Sequence, residues 1–201
     1  MNPNIVYTFA DNLYINITNR CTCDCVFCVR NKKNNVGSSE NLWLDHEPSV
    51  EEVIDELKQW DLTPYGQIVF CGYGEPTERL EELLAIARYL KSVTDKPIRI
   101  NTNGLSDLSY QKDTAAMMEG LIDYVSISMN AGNAEKYLKV TRSQFGIGSF
   151  DALIRFAENC TRYVPKVRLT IVDILSPEET QQCQEISERI HVPLLIRPYE
   201  A

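Results

Sequence analysis

The 201-residue chain carries 20 Lys and Arg against 28 Asp and Glu, which gives a formal net charge of −8. Hydrophobic residues make up 44% and charged residues 24%, an ordinary globular composition that excludes disordered, collagen-like and coiled-coil classes. The acidic balance disfavours binding of nucleic acid, because that affinity comes from neutralising phosphates with Lys and Arg. The length predicts a single domain over residues 1–201.

The chain shows no sign of a membrane span or a leader. No apolar stretch reaches the roughly 20 residues that a membrane-spanning helix needs. The start, MNPNIVYTFADN, lacks the basic segment and the long apolar stretch of a signal peptide. We therefore expect a cytoplasmic protein, a compartment in which disulfides are rare. Four of the seven cysteines, Cys21, Cys23, Cys25 and Cys28, lie within eight residues, so their spacing matters more than their number.

Predicted strands and helices alternate along the chain. The runs that predict strands are LYINIT (13–18), QIVFC (67–71), PIRIN (97–101), DYVSISMN (123–130), KVRLTIV (166–172) and VPLLI (192–196). The intervening helices are predicted to begin at a capping box of Ser49 and Glu52, at Leu80, near residue 115, at a Ser149 cap, and at Ser176 with Pro177 and Glu179.

This alternation predicts parallel strand pairing, because each return to a parallel neighbour needs a crossover. A complete eight-strand barrel needs about 250 residues. We therefore predict an α/β fold, a partial (β/α)6 TIM-type barrel, with a doubly wound sheet as the alternative. Unusual polar segments follow the strands, namely CTCDCVFC, GYGEP, TNG, SMNAGN, DILSP and RPYE. Their placement predicts one site at the carboxyl ends of the strands.

The cysteine segment carries the strongest chemical signal. Cys21, Cys25 and Cys28 form a C-x3-C-x2-C pattern, with Phe27 before the last cysteine. Three close thiolates suit an iron–sulfur cluster, and without an obvious fourth ligand one iron would stay open. Structural zinc, with Cys23 as the fourth ligand, is the first alternative, although zinc sites usually gather ligands from two segments. A catalytic disulfide pair fits the number of thiols less well.

With these motifs the sequence resembles the radical S-adenosylmethionine (radical SAM) superfamily. CTCDCVFC matches the family's cysteine pattern, and GYGEP is similar to its glycine–glutamate motif after the second strand. TNG, SISMNAG and RPY fall at further family-typical places, so the resemblance covers essentially the whole chain. NLYINITNRC, FCVRN, NLWL and VFCGYGEPTERL further resemble TatD-associated radical SAM proteins, a branch named for its association with TatD-family metal-dependent hydrolases.

The resemblance implies a 4Fe–4S cluster held by Cys21, Cys25 and Cys28. S-adenosylmethionine would chelate the fourth iron, and the reduced cluster would cleave it to methionine and a 5′-deoxyadenosyl radical that abstracts hydrogen from an unidentified substrate. Implied partners are an electron donor such as flavodoxin or ferredoxin and, through the TatD branch, a TatD-family hydrolase. Cys23 is interpreted as a thiol that points away from the cluster.

The resemblance also implies contacts to S-adenosylmethionine. Tyr73, Gly74 and Glu75 would present backbone oxygens and a carboxylate to the methionyl ammonium, with Gly74 allowing close approach. The other implied cofactor contacts are Phe27, Asn103, Ser126, Ser128, Asn130, Arg142 for the carboxylate, and Val172 for the adenine. Ordinary alternatives are a glycine turn, strand polarity, an exposed loop arginine and core packing.

Substrate contacts are expected from Arg197, Tyr199 and Glu200, which end the last predicted strand. Besides a radical enzyme of unidentified substrate, three functions stay open. They are a deazapurine-forming carbon-skeleton radical SAM enzyme, an activase or macromolecule-modifying enzyme, and a non-catalytic iron–sulfur electron-transfer or binding protein. GYGEP and the serine-rich fourth strand disfavour the last, because simple electron transfer needs no S-adenosylmethionine pocket.

Overall fold

A computed structural model describes residues 4–39 and 41–199 as one seven-stranded sheet with helices between the strands. The strands are β1 (Val6–Phe9), β2 (Asn12–Ile15), β3 (Ile68–Phe70), β4 (Ile98–Thr102), β5 (Tyr124–Ser128), β6 (Lys166–Val172) and β7 (Leu194–Arg197). They lie in sequential order, and β2 to β7 pair in parallel. A doubly wound sheet needs a reversal of strand order, so the alternative is wrong and the partial barrel is confirmed.

β1 is an additional strand that the sequence prediction lacks. It pairs antiparallel with β2 through a two-residue loop between Phe9 and Asn12. Ala10 in this loop has φ 49°, the left-handed conformation of a tight hairpin turn. Such turns usually carry Gly, Asn or Asp at this position, and an alanine gives no such signal.

In the described part of the chain, six α-helices connect the strands: α1 (Val50–Leu57), α2 (Leu80–Val93), α3 (Ser106–Tyr110), α4 (Ala134–Thr141), α5 (Ser149–Tyr163) and α6 (Pro177–Ile190). Both predicted capping boxes are present, at the starts of α1 and α6. Among the described residues, no helix has the length and apolarity to cross a membrane.

Three helix predictions need correction. Ser149 is the first helical residue and does not cap α5, because its hydroxyl donates to the Gly146 carbonyl at 2.7 Å. The predicted helix over 115–121 is only a 3-10 turn, Ala115–Met118. Helix α4 was not predicted. Asn133 is its N-cap, and the Asn133 side chain accepts a hydrogen bond from the Lys136 amide at 3.0 Å.

The strands divide their side chains between a core and the barrel interior. In β4, Ile98 and Ile100 are fully buried and belong to the main core, whereas Arg99 and Asn101 are half-buried and line an interior cavity. This alternation follows from the period of two along a strand. One continuous sheet supports the prediction of a single domain, which remains a prediction for residues 1–201.

Candidate active site

A cavity of about 450 Å³ lies inside the barrel and reaches the carboxyl ends of its strands. The cysteine loop, the GYGEP loop and the ends of β4, β5 and β6 all contribute to its wall. The predicted site residues that line it are Cys21, Cys25, Phe27, Cys28, Tyr73, Gly74, Glu75, Asn103, Ser126, Ser128, Asn130 and Val172. The tertiary structure thus gathers in one place residues that are spread over most of the sequence.

Backbone contacts hold the cysteine loop on the C-terminal end of α4. The amides of Asp24 and Val26 donate to the carbonyls of Thr141 and Val140, both at 2.9 Å. From the other side, the Asn103 side-chain amide donates to the Thr22 hydroxyl at 3.1 Å. These bonds position the cysteines relative to β4 without using any cysteine sulfur.

The cysteine thiols are free, and the surroundings of Cys21 and Cys28 favour the neutral form of the thiol. A hydrogen bond with the Cys23 thiol and burial raise the pKa of Cys21, and burial raises the pKa of Cys28. Binding of a metal would therefore release protons from these thiols. Among the described residues, no three Cys, His, Asp or Glu side chains converge as ligands of a single metal ion. In a 4Fe–4S cluster each cysteine binds a separate iron, so this cofactor needs no such convergence.

Glu75 holds the GYGEP loop to the end of β4. One carboxylate oxygen accepts from the Thr77 amide at 3.1 Å and from the hydroxyls of Thr77 and Thr102, both at 2.7 Å. The other accepts from the Asn103 amide at 2.6 Å. Burial raises the pKa of Glu75, while these hydrogen bonds oppose the shift. A carboxylate oxygen has about two acceptor positions, so the oxygen that accepts only from the Asn103 amide keeps one position for the predicted contact with a methionyl ammonium.

The missing side chain of Gly74 allows a close contact between two loops, and the predicted approach of a ligand at this residue stays a prediction. A Cβ atom at this position would lie 2.6 Å from the Arg20 carbonyl oxygen and closer still to that of Thr18. The Glu75 amide donates to the same Arg20 carbonyl at 2.7 Å. The GYGEP loop therefore packs directly on the backbone that leads into Cys21.

Among the described residues, four buried polar atoms at the cavity wall have no hydrogen-bond partner: the side-chain oxygens of Asn101 and Asn130, the Tyr137 hydroxyl and the Arg99 Nε. Buried polar atoms are nearly always paired, so these positions fit a polar ligand such as S-adenosylmethionine. Asn130 has φ 56°, which Asn tolerates better than most residues. Sequence analysis missed Tyr137 because α4 itself was not predicted.

Arg142 lies outside the cavity, contrary to its predicted role toward the cofactor carboxylate. It ends α4 with φ 49°, and its guanidinium pairs with the Asp24 carboxylate at 3.3 Å. Its side chain is 60% exposed. The ion pair attaches α4 to the cysteine loop and places this arginine apart from the other predicted cofactor contacts.

Two strand arginines that the sequence analysis passed over do line the cavity. Arg99 lies in β4 and Arg168 in β6, each on the interior face of its strand. The sequence did carry a signal for these arginines, because each lies inside an otherwise apolar strand segment. Arg197 and Tyr199, expected near the substrate, also line the cavity, whereas Glu200 falls outside the described residues.

Comparison with known families agrees with this geometry. Residues 15–190 match the family model of the Radical SAM superfamily. The chain belongs to the radical SAM superfamily. Its members are enzymes that use a 4Fe–4S cluster and S-adenosylmethionine, so the enzyme class and the cofactors expected from the sequence are confirmed for the family.

Curated relatives are much longer than this chain. GTP 3′,8-cyclase of Corynebacterium glutamicum (strain R) is 30% identical over 141 residues, which cover 66% of this chain and 34% of the relative. Fe-coproporphyrin III synthase of Methanosarcina barkeri is 34% identical over 166 residues, which cover 77% of this chain and 35% of the relative. The radical SAM chain therefore spans about a third of the length of these relatives.

Solved structures share the fold over nearly the whole chain. Streptococcus suis SuiB bound to S-adenosylmethionine superposes with a TM-score of 0.69 at 16% identity, over 96% of this chain and 41% of SuiB. A radical SAM methyltransferase from Sphaerobacter thermophilus gives a TM-score of 0.61 at 18% identity, over 96% of this chain and 68% of the methyltransferase. These similarities confirm the radical SAM core fold.

Proposed function

We propose that this chain is a radical SAM enzyme in which Cys21, Cys25 and Cys28 hold a 4Fe–4S cluster. The observation that carries the proposal is that the three cysteines, the GYGEP loop and the polar ends of β4 and β5 share one cavity. When bound, the family's cofactors supply reductive cleavage of S-adenosylmethionine to methionine and a 5′-deoxyadenosyl radical, which abstracts hydrogen from a substrate.

The residues of the cavity bind and orient the cofactor in this proposal. The backbone oxygens of Tyr73 and Gly74 and the Glu75 oxygen that accepts only from the Asn103 amide are the acceptors for the methionyl ammonium. Ser128 and Asn130 offer a hydroxyl and an unpartnered amide oxygen to ribose or carboxylate oxygens. Val172 adds apolar surface for the adenine at the end of β6.

The segment after the cysteines covers part of the same site and would exclude water. The Tyr73 hydroxyl donates to the Lys33 carbonyl, and the Tyr73 ring meets Trp43 edge-on with ring centroids 5.3 Å apart. Farther along the rim, the Lys32 ammonium lies 4.7 Å from the centre of the Tyr199 ring and donates to its hydroxyl. Exclusion of water protects a reactive intermediate from side reactions.

Anaerobic reconstitution tests the proposal. Wild-type protein should bind about four irons and four sulfides and, once reduced, release 5′-deoxyadenosine from S-adenosylmethionine. Replacing Cys21, Cys25 or Cys28 by Ala should abolish the cluster, whereas Cys23→Ala is the matched control and should retain it. Stoichiometric zinc without labile sulfide would refute the cluster. A cluster that never releases 5′-deoxyadenosine would favour the electron-transfer alternative.

A purine-derived substrate is the second candidate. Several relatives are named GTP 3′,8-cyclase, after a purine nucleotide, which favours the deazapurine-type alternative over a macromolecular substrate. GTP should then raise the release of 5′-deoxyadenosine by the reduced enzyme. No stimulation by GTP would remove that nucleotide as the substrate and leave the radical enzyme itself untouched.

The proposal extends to the subfamily of this protein, its partner proteins and its location in the cell. We propose membership of the TatD-associated branch, a functional link to a TatD-family hydrolase, and reduction by flavodoxin or ferredoxin. A cytoplasmic location agrees with seven free cysteines. Pull-down with the candidate hydrolase and reduction assays with each electron donor test these partners.

A further inference from the structure

Three guanidinium groups line the cavity of a protein whose net charge is −8. Arg99, Arg168 and Arg197 come from β4, β6 and β7. Within residues 4–39 and 41–199, none of the three forms an ion pair. The only carboxylate in the described part of the wall is that of Glu75, which is hydrogen-bonded to Thr77, Thr102 and Asn103 and forms no ion pair with the three arginines. The described part of the wall therefore carries three guanidinium groups against one carboxylate, an excess of positive charge.

Arg99 and Arg168 both contact the ring of one tyrosine, Tyr124. Their guanidinium carbons are 5.9 Å and 4.9 Å from the centre of the Tyr124 ring. Cation–π contacts of this kind position the arginines and offset part of their mutual repulsion. Burial, together with the nearby Arg99 and Arg197, lowers the pKa of Arg168.

Most donors of these two arginines are unused. Arg99 donates from one Nη to the Tyr14 hydroxyl at 3.2 Å, and its Nε is buried without a partner. Arg168 donates from Nε to the Ser126 hydroxyl at 3.0 Å. Each guanidinium carries five N–H donors in a planar fork that matches carboxylate and phosphate oxygens. The pair thus has donors left for an anion.

We propose that Arg99 and Arg168 bind an anionic group of the substrate, a phosphate or a carboxylate. The inference rests on the proposed function, since it assigns the substrate class of the same cavity. Arg99 precedes Asn103 by four residues, roughly 13 Å along an extended strand, so the anion binds at the inner end of the cavity. The rest of the substrate then faces the rim, where the cofactor contacts lie.

Calorimetric titration of the reconstituted, S-adenosylmethionine-loaded protein tests this inference without knowledge of the substrate. The probes are inorganic pyrophosphate for the phosphate class, succinate for the carboxylate class, and succinamide as the neutral analogue. At least one anion should bind, and succinamide should not. Arg99→Gln and Arg168→Gln should each weaken the binding by about tenfold or more, because each removes charged hydrogen bonds. Arg155→Gln, on the exposed face of α5, is the matched control and should bind as wild type does.

Several results would overturn the inference: binding of neither anion, equal binding of succinamide, or unchanged affinity in both cavity variants. If the variants fail to fold, phenylglyoxal labelling of wild-type protein replaces them. The anion that binds should then protect Arg99 and Arg168, but not Arg155, from modification, and lack of protection again refutes the inference. Release of 5′-deoxyadenosine by wild-type enzyme is measured separately, so its absence refutes the proposed function and not the anion site.

Discussion

Replacement of Gly74 by Ala tests the contact between the GYGEP loop and the cysteine loop. The new Cβ would lie 2.6 Å from the Arg20 carbonyl oxygen and even closer to that of Thr18. Real Cβ atoms do not approach other atoms so closely, and both neighbours are backbone atoms that no rotamer change can move. The segment that leads into Cys21 must therefore shift.

Two opposing free-energy contributions set the loss of stability in the Gly74→Ala variant. Overpacking of this kind costs about 1–3 kcal/mol. Loss of the glycine's freedom in the unfolded chain recovers about 0.4–1 kcal/mol. We expect a net loss of about 1–2 kcal/mol in the free energy of unfolding. For a chain of this size that is a fall in Tm of roughly 2–8 °C.

Thermal and urea unfolding of the cluster-free Gly74→Ala variant measure this loss directly. Gly148→Ala is the matched control, because Gly148 has φ −70° and a Cβ added there would meet open space, so its stability should stay at or above that of wild type. The reconstituted Gly74→Ala variant should also bind less iron. Wild-type stability of the cluster-free variant together with weaker cofactor binding would instead favour the ligand-approach role and refute the packing argument.

Three further predictions concern the cofactor wall, the rim and the pH dependence of folding. The double variant Ser128→Ala, Asn130→Ala should keep its iron content but bind S-adenosylmethionine more weakly, by about 0.5–1.5 kcal/mol for each hydrogen bond lost. Unchanged affinity by calorimetry would remove β5 from the site. Asn130→Gly is the control for backbone strain at the positive φ of this residue. Deletion of Arg197–Ala201 should preserve cluster loading but raise the release of 5′-deoxyadenosine that is not accompanied by product. If the truncated enzyme, once a substrate is known, keeps the wild-type ratio of 5′-deoxyadenosine to product, the tail lies outside the site. Hydrogen bonds from Ser176 and the Lys136 ion pair lower the pKa of Glu179 to about 2, so wild type should be more stable than Glu179→Gln at pH 7. Urea titrations should show that advantage disappearing as the pH falls from about 4.3, the ordinary Glu pKa, toward 2; a difference that persists at pH 2 would contradict the cause.

Sequence alone determined the features that depend on neighbouring residues. The capping boxes at the starts of α1 and α6 involve side chains three residues apart, so both could be predicted. The alternation of strands and helices over the whole chain predicted the parallel partial barrel, because parallel strands need crossovers. The spacing of Cys21, Cys25 and Cys28 is likewise local, and it identified the family that the comparison confirmed.

Only the tertiary structure decided which polar residues meet. Arg142 looked like a cofactor ligand but pairs with Asp24 outside the cavity, whereas Arg99 and Arg168 looked like strand residues and line its interior. Gly74 packs on a backbone more than 50 residues earlier in the chain. The physical reason is common to these cases: the direction of a side chain, and the partner it reaches across the barrel, depend on strand register and loop docking between distant segments.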